Sequence, residues 1–144
     1  MGGTFDRLHV AHQLLLRTAA HMAEEVFVGV VSDELGKELF AEKDFADQIH
    51  GYDQRSTAVI DFLQQYAEQY EVAPLLDPWG PAPADTRADL IVVSFETEKN
   101  AHRINEMRQE NNLPALDIIT IPWVYVDGEL ISSSRLRAEE NSEQ

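Results

Sequence analysis

The chain has 144 residues, 44% of them hydrophobic and 26% charged, a composition typical of one folded domain rather than a disordered segment. It contains no cysteine, which excludes disulfides, thiolate metal sites and cysteine nucleophiles, and its apolar runs are too short to span a bilayer. Its 26 acidic and 11 basic residues give a net charge of −15, which repels nucleic acid and anionic lipid, so we expect neither as a partner. A soluble, cytoplasmic protein is the expectation.

The spacing of apolar residues predicts helices that alternate with buried strands along the whole chain. The predicted helices are 12–23, 53–70, 97–111 and a short last helix over 132–140. The predicted strands are 26–31, 72–76, 90–94 and 117–126, with a proline-rich loop over 77–85. This alternation predicts a single α/β domain over residues 1–144, a Rossmann-like three-layer sandwich with a mainly parallel sheet.

The first strand of that sheet is apparently truncated. The pair Gly2-Gly3 leads into the first helix, and in parallel sheets such a turn follows the carboxyl end of a strand. Only Met1 precedes the pair. Because a central strand buries apolar side chains on both faces, we expect the natural protein to begin upstream of Met1.

The N-terminal segment GGTFDRLHVAH, residues 2–12, has the features of a phosphate site. Its glycines let a ligand approach the backbone closely, and Thr4 offers a hydroxyl. His9 and His12 lie three residues apart at a predicted helix start, so both face one way and add N–H donors to a helix end that favours anions. A plain turn with two surface histidines is one alternative. Zinc is a weaker one, because no third ligand follows at a recognisable spacing, and we assign no metal ligand.

The C-terminal segment ISSSRLR, residues 131–137, offers a second cradle for phosphate. Serine at a helix start is most often only a cap. Three serines in a row before Arg135 and Arg137, in a chain so poor in positive charge, favour phosphate binding. No histidine–acid pair accompanies the serines in a recognisable motif, so we expect no serine nucleophile.

The two segments resemble the GGTFD…HxGH and ISSTxxR signatures of the HIGH-type nucleotidylyltransferase superfamily. The segments VGVVSDE, KDFADQIHGYDQR, ADLIVVSFET and INEMRQENNLPALDIITI are similar to the archaeal and eukaryotic type of phosphopantetheine adenylyltransferase. This resemblance covers nearly the whole chain, in order. It implies adenylyl transfer from ATP to 4′-phosphopantetheine with Mg²⁺, giving dephospho-coenzyme A and pyrophosphate, in a monomer or a small homo-oligomer.

The resemblance also implies roles for individual residues. It places His9 and His12 on the ATP phosphates, with His12 stabilising the transition state. Thr4 would hold the incoming phosphate, and Lys43, twelve residues before Arg55, would bridge the two reacting phosphates. The other implied ATP ligands are Gly3, Ser132, Ser133, Ser134 and Arg137. Because the attacking phosphate is already ionised, no general base is needed, and the protein has only to position the reactants and stabilise charge.

One residue departs from the family pattern. Ala11 stands where the family usually has glycine, at a point where the nucleotide packs on the backbone. Two alternatives therefore accompany the main prediction. One is a sister nucleotidylyltransferase with another phosphorylated acceptor, and the other is a non-catalytic nucleotide-binding protein of the same fold.

Overall fold

A computed structural model describes residues 1–41 and 46–142, so Lys43 and the side chain of Ser134 lie outside the described parts of the chain. The helices are α1 (Val10–Met22), α2 (Asp33–Leu39), α3 (Tyr52–Leu63), α4 (Glu98–Glu110) and α5 (Ser133–Ser142). The strands are β1 (Gly2–Gly3), β2 (Glu25–Val31), β3 (Gln69–Leu75), β4 (Leu90–Ser94), β5 (Asp117–Ile121), β6 (Tyr125–Val126) and β7 (Glu129–Leu130). Each helix in the described ranges falls short of the length and apolar character that crossing a membrane requires.

The strands form two parallel units and one small hairpin. Strands β1, β2 and β3 pair in that order, and β4 pairs with β5, all in parallel, whereas β6 and β7 are antiparallel. The two parallel units share one core, because Val92 of β4 and Ile121 of β5 pack with Val28 and Val30 of β2. The predicted α/β fold with a mainly parallel sheet is confirmed.

Burial in the core follows the apolar pattern of the sequence. Val28, Val30 and Leu16 are fully buried, and so are Val59 and Leu63 on the inner face of α3. Each such side chain contributes about 1.5–3 kcal/mol when it leaves water. The apolar runs that predicted β2 and β4 are therefore the same residues that hold the two units together.

The helix predicted over 53–70 is wrong in its last part, because α3 ends at Leu63. Tyr70, which continues the helical spacing, pairs instead with Val26 across the β2–β3 ladder. The strand predicted over 117–126 is wrong in the same way, since β5 ends at Ile121 and Tyr125 belongs to the hairpin. Pro122 has no N–H for a ladder and interrupts the run.

The short helix α2 is absent from the sequence prediction. Its N-cap is Ser32, whose Oγ accepts a hydrogen bond from the N–H of Leu35 at 3.1 Å, and acidic residues follow in its first turn. A capping serine followed by acidic residues is a helix-start signal. Ser32 directly follows Val31, the last residue of the apolar strand β2, so this helix start is not set apart from the strand in the sequence.

Strand β1 has two residues, Gly2 and Gly3, so the glycines predicted to form a turn are themselves in the sheet. They pair with Gly29 and Val30 of β2. Met1 extends this ladder by one residue, since its amine donates to the carbonyl of Phe27 and its carbonyl accepts from Gly29, both at 2.9 Å. Burial lowers the pKa of the Met1 amine to about 6.

A cavity of about 1140 Å³ is lined by Met1 and by apolar residues of β2, β4 and α1, among other residues. We expect that joining about five branched apolar residues ahead of Met1 raises the melting temperature, because an added strand buries apolar side chains there. Circular dichroism during heating measures this change. An extension of equal length made of glycine and serine is the matched control, and equal melting temperatures for the two would contradict the expectation.

Candidate functional site

The candidate site lies where β1 leads into α1 and where α5 begins. Residues of both sequence motifs line the same cavity there, although they come from opposite ends of the chain. The predicted site residues that line it are Gly3, Thr4, His9, His12, Ser132, Ser133 and Arg137. The position of Lys43 relative to them falls outside the described ranges.

The loop between β1 and α1 has an unusual backbone. Phe5 and Arg7 have φ angles of 54° and 49°, the left-handed region that residues other than glycine rarely adopt. Phe5 is 1% exposed, and its ring packs against the ring of His12 with centroids 5.3 Å apart. Such a conformation persists only where the surroundings fix it, so this loop is held in one shape by its contacts.

His9 and His12 build the start of α1 with their own side chains. Nδ1 of His9, the N-cap, accepts from the N–H groups of Ala11 at 3.2 Å and of His12 at 3.4 Å. The N–H of His9 donates in return to Nδ1 of His12 at 3.4 Å, and the two rings stack with centroids 3.7 Å apart. Since each Nδ1 is an acceptor, the proton of each neutral imidazole lies on Nε2, which remains as a donor for a ligand.

Both imidazoles are neutral at physiological pH. Burial lowers the pKa of His9 to about 4. Burial, with a smaller contribution from His9, lowers the pKa of His12 to about 3, and the negative charge of Asp6 opposes both changes. The pair therefore offers neutral N–H donors rather than positive charges.

The N-terminus of α5 brings the serine motif to the same cavity. Ser132 is a cap, as its Oγ accepts from the N–H of Arg135 at 3.1 Å. The hydroxyl of Ser133 donates to the backbone carbonyl of Asp6 at 2.5 Å, so its proton is used within the protein. The other backbone N–H groups of the first helical turn have no partner inside the helix, and they are the donors that an anion would meet.

Arg55, which lies twelve residues after Lys43, anchors the loop between β1 and α1. Its guanidinium is buried and donates to the carbonyls of Thr4 at 2.8 Å and of His50 at 2.7 Å. A third contact joins it to Asp33 at 3.3 Å. Arg55 therefore fixes the backbone of Thr4, whose side chain was predicted to hold the incoming phosphate.

Asp6 is the site residue that sequence reasoning missed. Its carboxylate is fully buried and accepts from Arg7 and Arg137, both at 2.6 Å, and from the backbone N–H of His50 at 3.1 Å. Burial alone would raise the pKa of Asp6, but the His50 N–H and the two guanidiniums outweigh burial and hold the pKa below its usual value. The sequence does contain one indication of this role. Asp6 lies inside the motif GGTFDRLHVAH and directly precedes Arg7, one of only 11 basic residues in the chain.

Within residues 1–41 and 46–142, no three His, Asp or Glu side chains lie close enough together to hold a metal ion. Of the two histidines considered for zinc, each uses Nδ1 as an acceptor for a backbone N–H. The carboxylate nearest to them in the loop, that of Asp6, is occupied by guanidiniums. The described arrangement is therefore one of hydrogen-bond donors for an anion.

The neutral histidines make stability depend on pH. An unfolded histidine has a pKa near 6.5. Between about pH 6.5 and 4, these two histidines therefore bind protons in the unfolded chain, whereas His9 and His12 stay largely unprotonated in the folded protein. The free energy of unfolding should therefore fall as pH decreases through this range. We expect the double variant His9→Gln, His12→Gln to lose part of that fall, measured by urea unfolding at pH 7 and pH 5. An unchanged difference between the two pH values would contradict the neutral state of the pair.

Comparisons with known proteins show the family of the chain. The family model described as cytidylyltransferase-like matches residues 1–139. A phosphopantetheine adenylyltransferase of Methanopyrus kandleri is 40% identical over 96% of this chain and 87% of its own length. One from Methanothermobacter thermautotrophicus is 40% identical over 97% of this chain and 82% of its own.

A solved structure shows the same fold. It is a protein of unknown function from Archaeoglobus fulgidus, with a TM-score of 0.71 at 24% identity, and the match covers 87% of this chain and 98% of that one. At this identity the likeness supports the fold alone, whereas the family rests on the sequence matches. The chain belongs to the cytidylyltransferase-like family and, within it, groups with the archaeal phosphopantetheine adenylyltransferases.

Proposed function

We propose that the protein transfers the adenylyl group of ATP to 4′-phosphopantetheine, a step of coenzyme A biosynthesis. A phosphate oxygen of the acceptor forms a bond to the α-phosphorus of ATP. The bond from that phosphorus to the bridging oxygen breaks, and pyrophosphate leaves with the electron pair. The observation that carries the proposal is the meeting of the histidine pair and the α5 N-terminus at one cavity, in a chain 40% identical to named adenylyltransferases.

The chain contributes positioned donors rather than acid–base chemistry. The acceptor phosphate is ionised before it binds, so no residue has to remove a proton from it. The Nε2–H of His12 donates a hydrogen bond to an oxygen of the α-phosphate as negative charge builds up there. Its orientation is set before the substrate arrives, by the stacked ring of His9 and by the buried ring of Phe5.

The β- and γ-phosphates bind at the N-terminus of α5. The supporting observation is that Ser132 caps this helix and Ser133 ties it to the loop, which leaves first-turn N–H groups as donors. For Ser132 and Ser133, the phosphate-binding role predicted for the side chain is thus proposed mainly for the backbone N–H groups of this turn. At Gly3 an added Cβ would lie 3.1 Å from the ring of Phe5, so a larger residue there would crowd the ring that packs on His12.

Thr4 and Lys43 serve the acceptor phosphate. The support for Thr4 is its place in the cavity wall, on a backbone held by Arg55. For Lys43 the support is its place in the matching segment KDFADQIHGYDQR. A flexible ammonium that bridges the two reacting phosphates would neutralise their mutual repulsion.

Mg²⁺ enters as part of the ATP substrate. This ion usually keeps several waters and binds through phosphate oxygens with at most one or two carboxylates. The described residues match that mode, since the site offers N–H and hydroxyl donors while the Asp6 carboxylate is already paired. The metal therefore neutralises phosphate charge on the nucleotide side, and the chain supplies the donors around it.

We expect pyrophosphate release from ATP to be fastest with 4′-phosphopantetheine as acceptor, and to require Mg²⁺. A coupled pyrophosphate assay over a panel of acceptors measures this, with glycerol 3-phosphate, flavin mononucleotide and nicotinamide mononucleotide as the alternatives. A faster reaction with any of these three would assign the chain to a sister activity. Release with none of the acceptors would favour a nucleotide-binding protein without catalysis.

We expect His12→Ala to lower kcat by about 10²–10³, because losing one preorganised donor costs roughly 2.7–4 kcal/mol of transition-state stabilisation. The affinity for ATP should change much less. His21→Ala and His102→Ala are matched controls outside both motifs, on the exposed faces of α1 and α4, and they should stay near wild type. Near-normal turnover of His12→Ala would remove this residue from the mechanism. Lys43→Ala should also lower kcat severely.

A further inference from the structure

The Asp6 carboxylate joins three segments that lie far apart in the sequence. It accepts from Arg7 in its own loop, from the backbone of His50 ahead of α3, and from Arg137 in α5. Its exposed fraction is 0%, and that of Arg137 is 2%. A buried charge needs such partners because it has lost its hydration.

Helix α5 meets this loop along one face. Ser133, Arg137 and Glu140 are spaced four and three residues apart, which places them above one another on a helix. Ser133 donates to the carbonyl of Asp6, Arg137 to its carboxylate, and Glu140 accepts from Arg7 at 2.8 and 2.9 Å. The four side chains Asp6, Arg7, Arg137 and Glu140 together carry no net charge.

The same contacts hold the backbone that shapes the histidine pair. Asp6 lies between Phe5 and Arg7, the two residues with left-handed φ angles. Its carbonyl and its carboxylate are both fixed by α5. Loss of the carboxylate would release this strained loop, and with it the ring of Phe5 that packs on His12.

We propose that Asp6 is a positioning residue for the adenylyl transfer, and that Arg137 acts through Asp6 rather than as a ligand of the ATP phosphates. The pair locks α5 against the loop, so that the α5 N-terminus and the His9–His12 pair face the same triphosphate. Arg137 lines the cavity, but its charge there is balanced by a carboxylate at 2.6 Å. This inference rests on the proposed function for its kinetic part only.

The test is a double-mutant cycle with Asp6→Asn, Arg137→Gln and the double variant. We expect Asp6→Asn to weaken ATP binding and to lower kcat by about tenfold to a hundredfold, as misplaced reacting groups do. The double variant, which removes both charges, should be no less active than Arg137→Gln alone. If Arg137 is instead a phosphate ligand, Asp6→Asn leaves ATP affinity unchanged or tightens it. The losses of activity in Asp6→Asn and Arg137→Gln then multiply in the double variant. Either result overturns the proposal.

Two further measurements keep the cycle decisive. ATP affinity is taken by calorimetry without acceptor, well below the melting temperature of each variant, so the test stands even if 4′-phosphopantetheine is not the acceptor. If Arg137→Gln does not fold, Arg137→Lys replaces it and should keep ATP affinity, because the charge opposite Asp6 remains. A loss of ATP affinity in a folded Arg137→Lys protein would overturn the proposal.

The matched control is Glu139→Gln. Glu139 is an exposed residue on the same helix whose carboxylate pairs with Arg135, and this variant should match wild type.

Discussion

A carboxylate removed from water must be matched by positive charge and hydrogen bonds, and the arrangement around Asp6 meets this condition from three directions. One of those partners, Arg137, comes from the last helix, so the pairing closes the two ends of the chain onto each other. The left-handed loop, the orientation of His12 and the place where α5 begins all depend on that closure. The site is therefore assembled by contacts within the protein.

Neutral donors suit a protein of this overall charge. With a net charge of −15, long-range attraction of a triphosphate is unfavourable, and binding has to come from short-range hydrogen bonds. The histidine pair can offer such bonds through Nε2, because Nδ1 of each ring accepts from a backbone N–H. The α5 N-terminus supplies them through its first turn. Neither feature requires a cationic side chain to lose its hydration on binding.

The sequence predicted those parts of the fold whose signals are local. Branched apolar runs identified β2 and β4, and the glycine, histidine and serine motifs contain residues that line one cavity, the candidate site. The end of α3 could not be predicted, because Tyr70 fits the helical stripe and only its pairing with Val26 in the sheet decides otherwise. Asp6 was hidden for a similar reason, since its importance lies in a partner at the other end of the chain. The contact of the Ser133 hydroxyl with the carbonyl of Asp6 is equally distant in sequence and could not be predicted either.

We infer that the donors of the histidine pair are oriented before any nucleotide binds. Nitrogen-15 NMR of the histidine side chains in the ligand-free protein at pH 7 tests it most directly, with His9→Gln and His12→Gln variants used to assign the signals. We predict neutral rings for His9 and His12, each with its proton on Nε2 and an unprotonated Nδ1. A protonated imidazolium on either ring, or a proton on Nδ1, would contradict it.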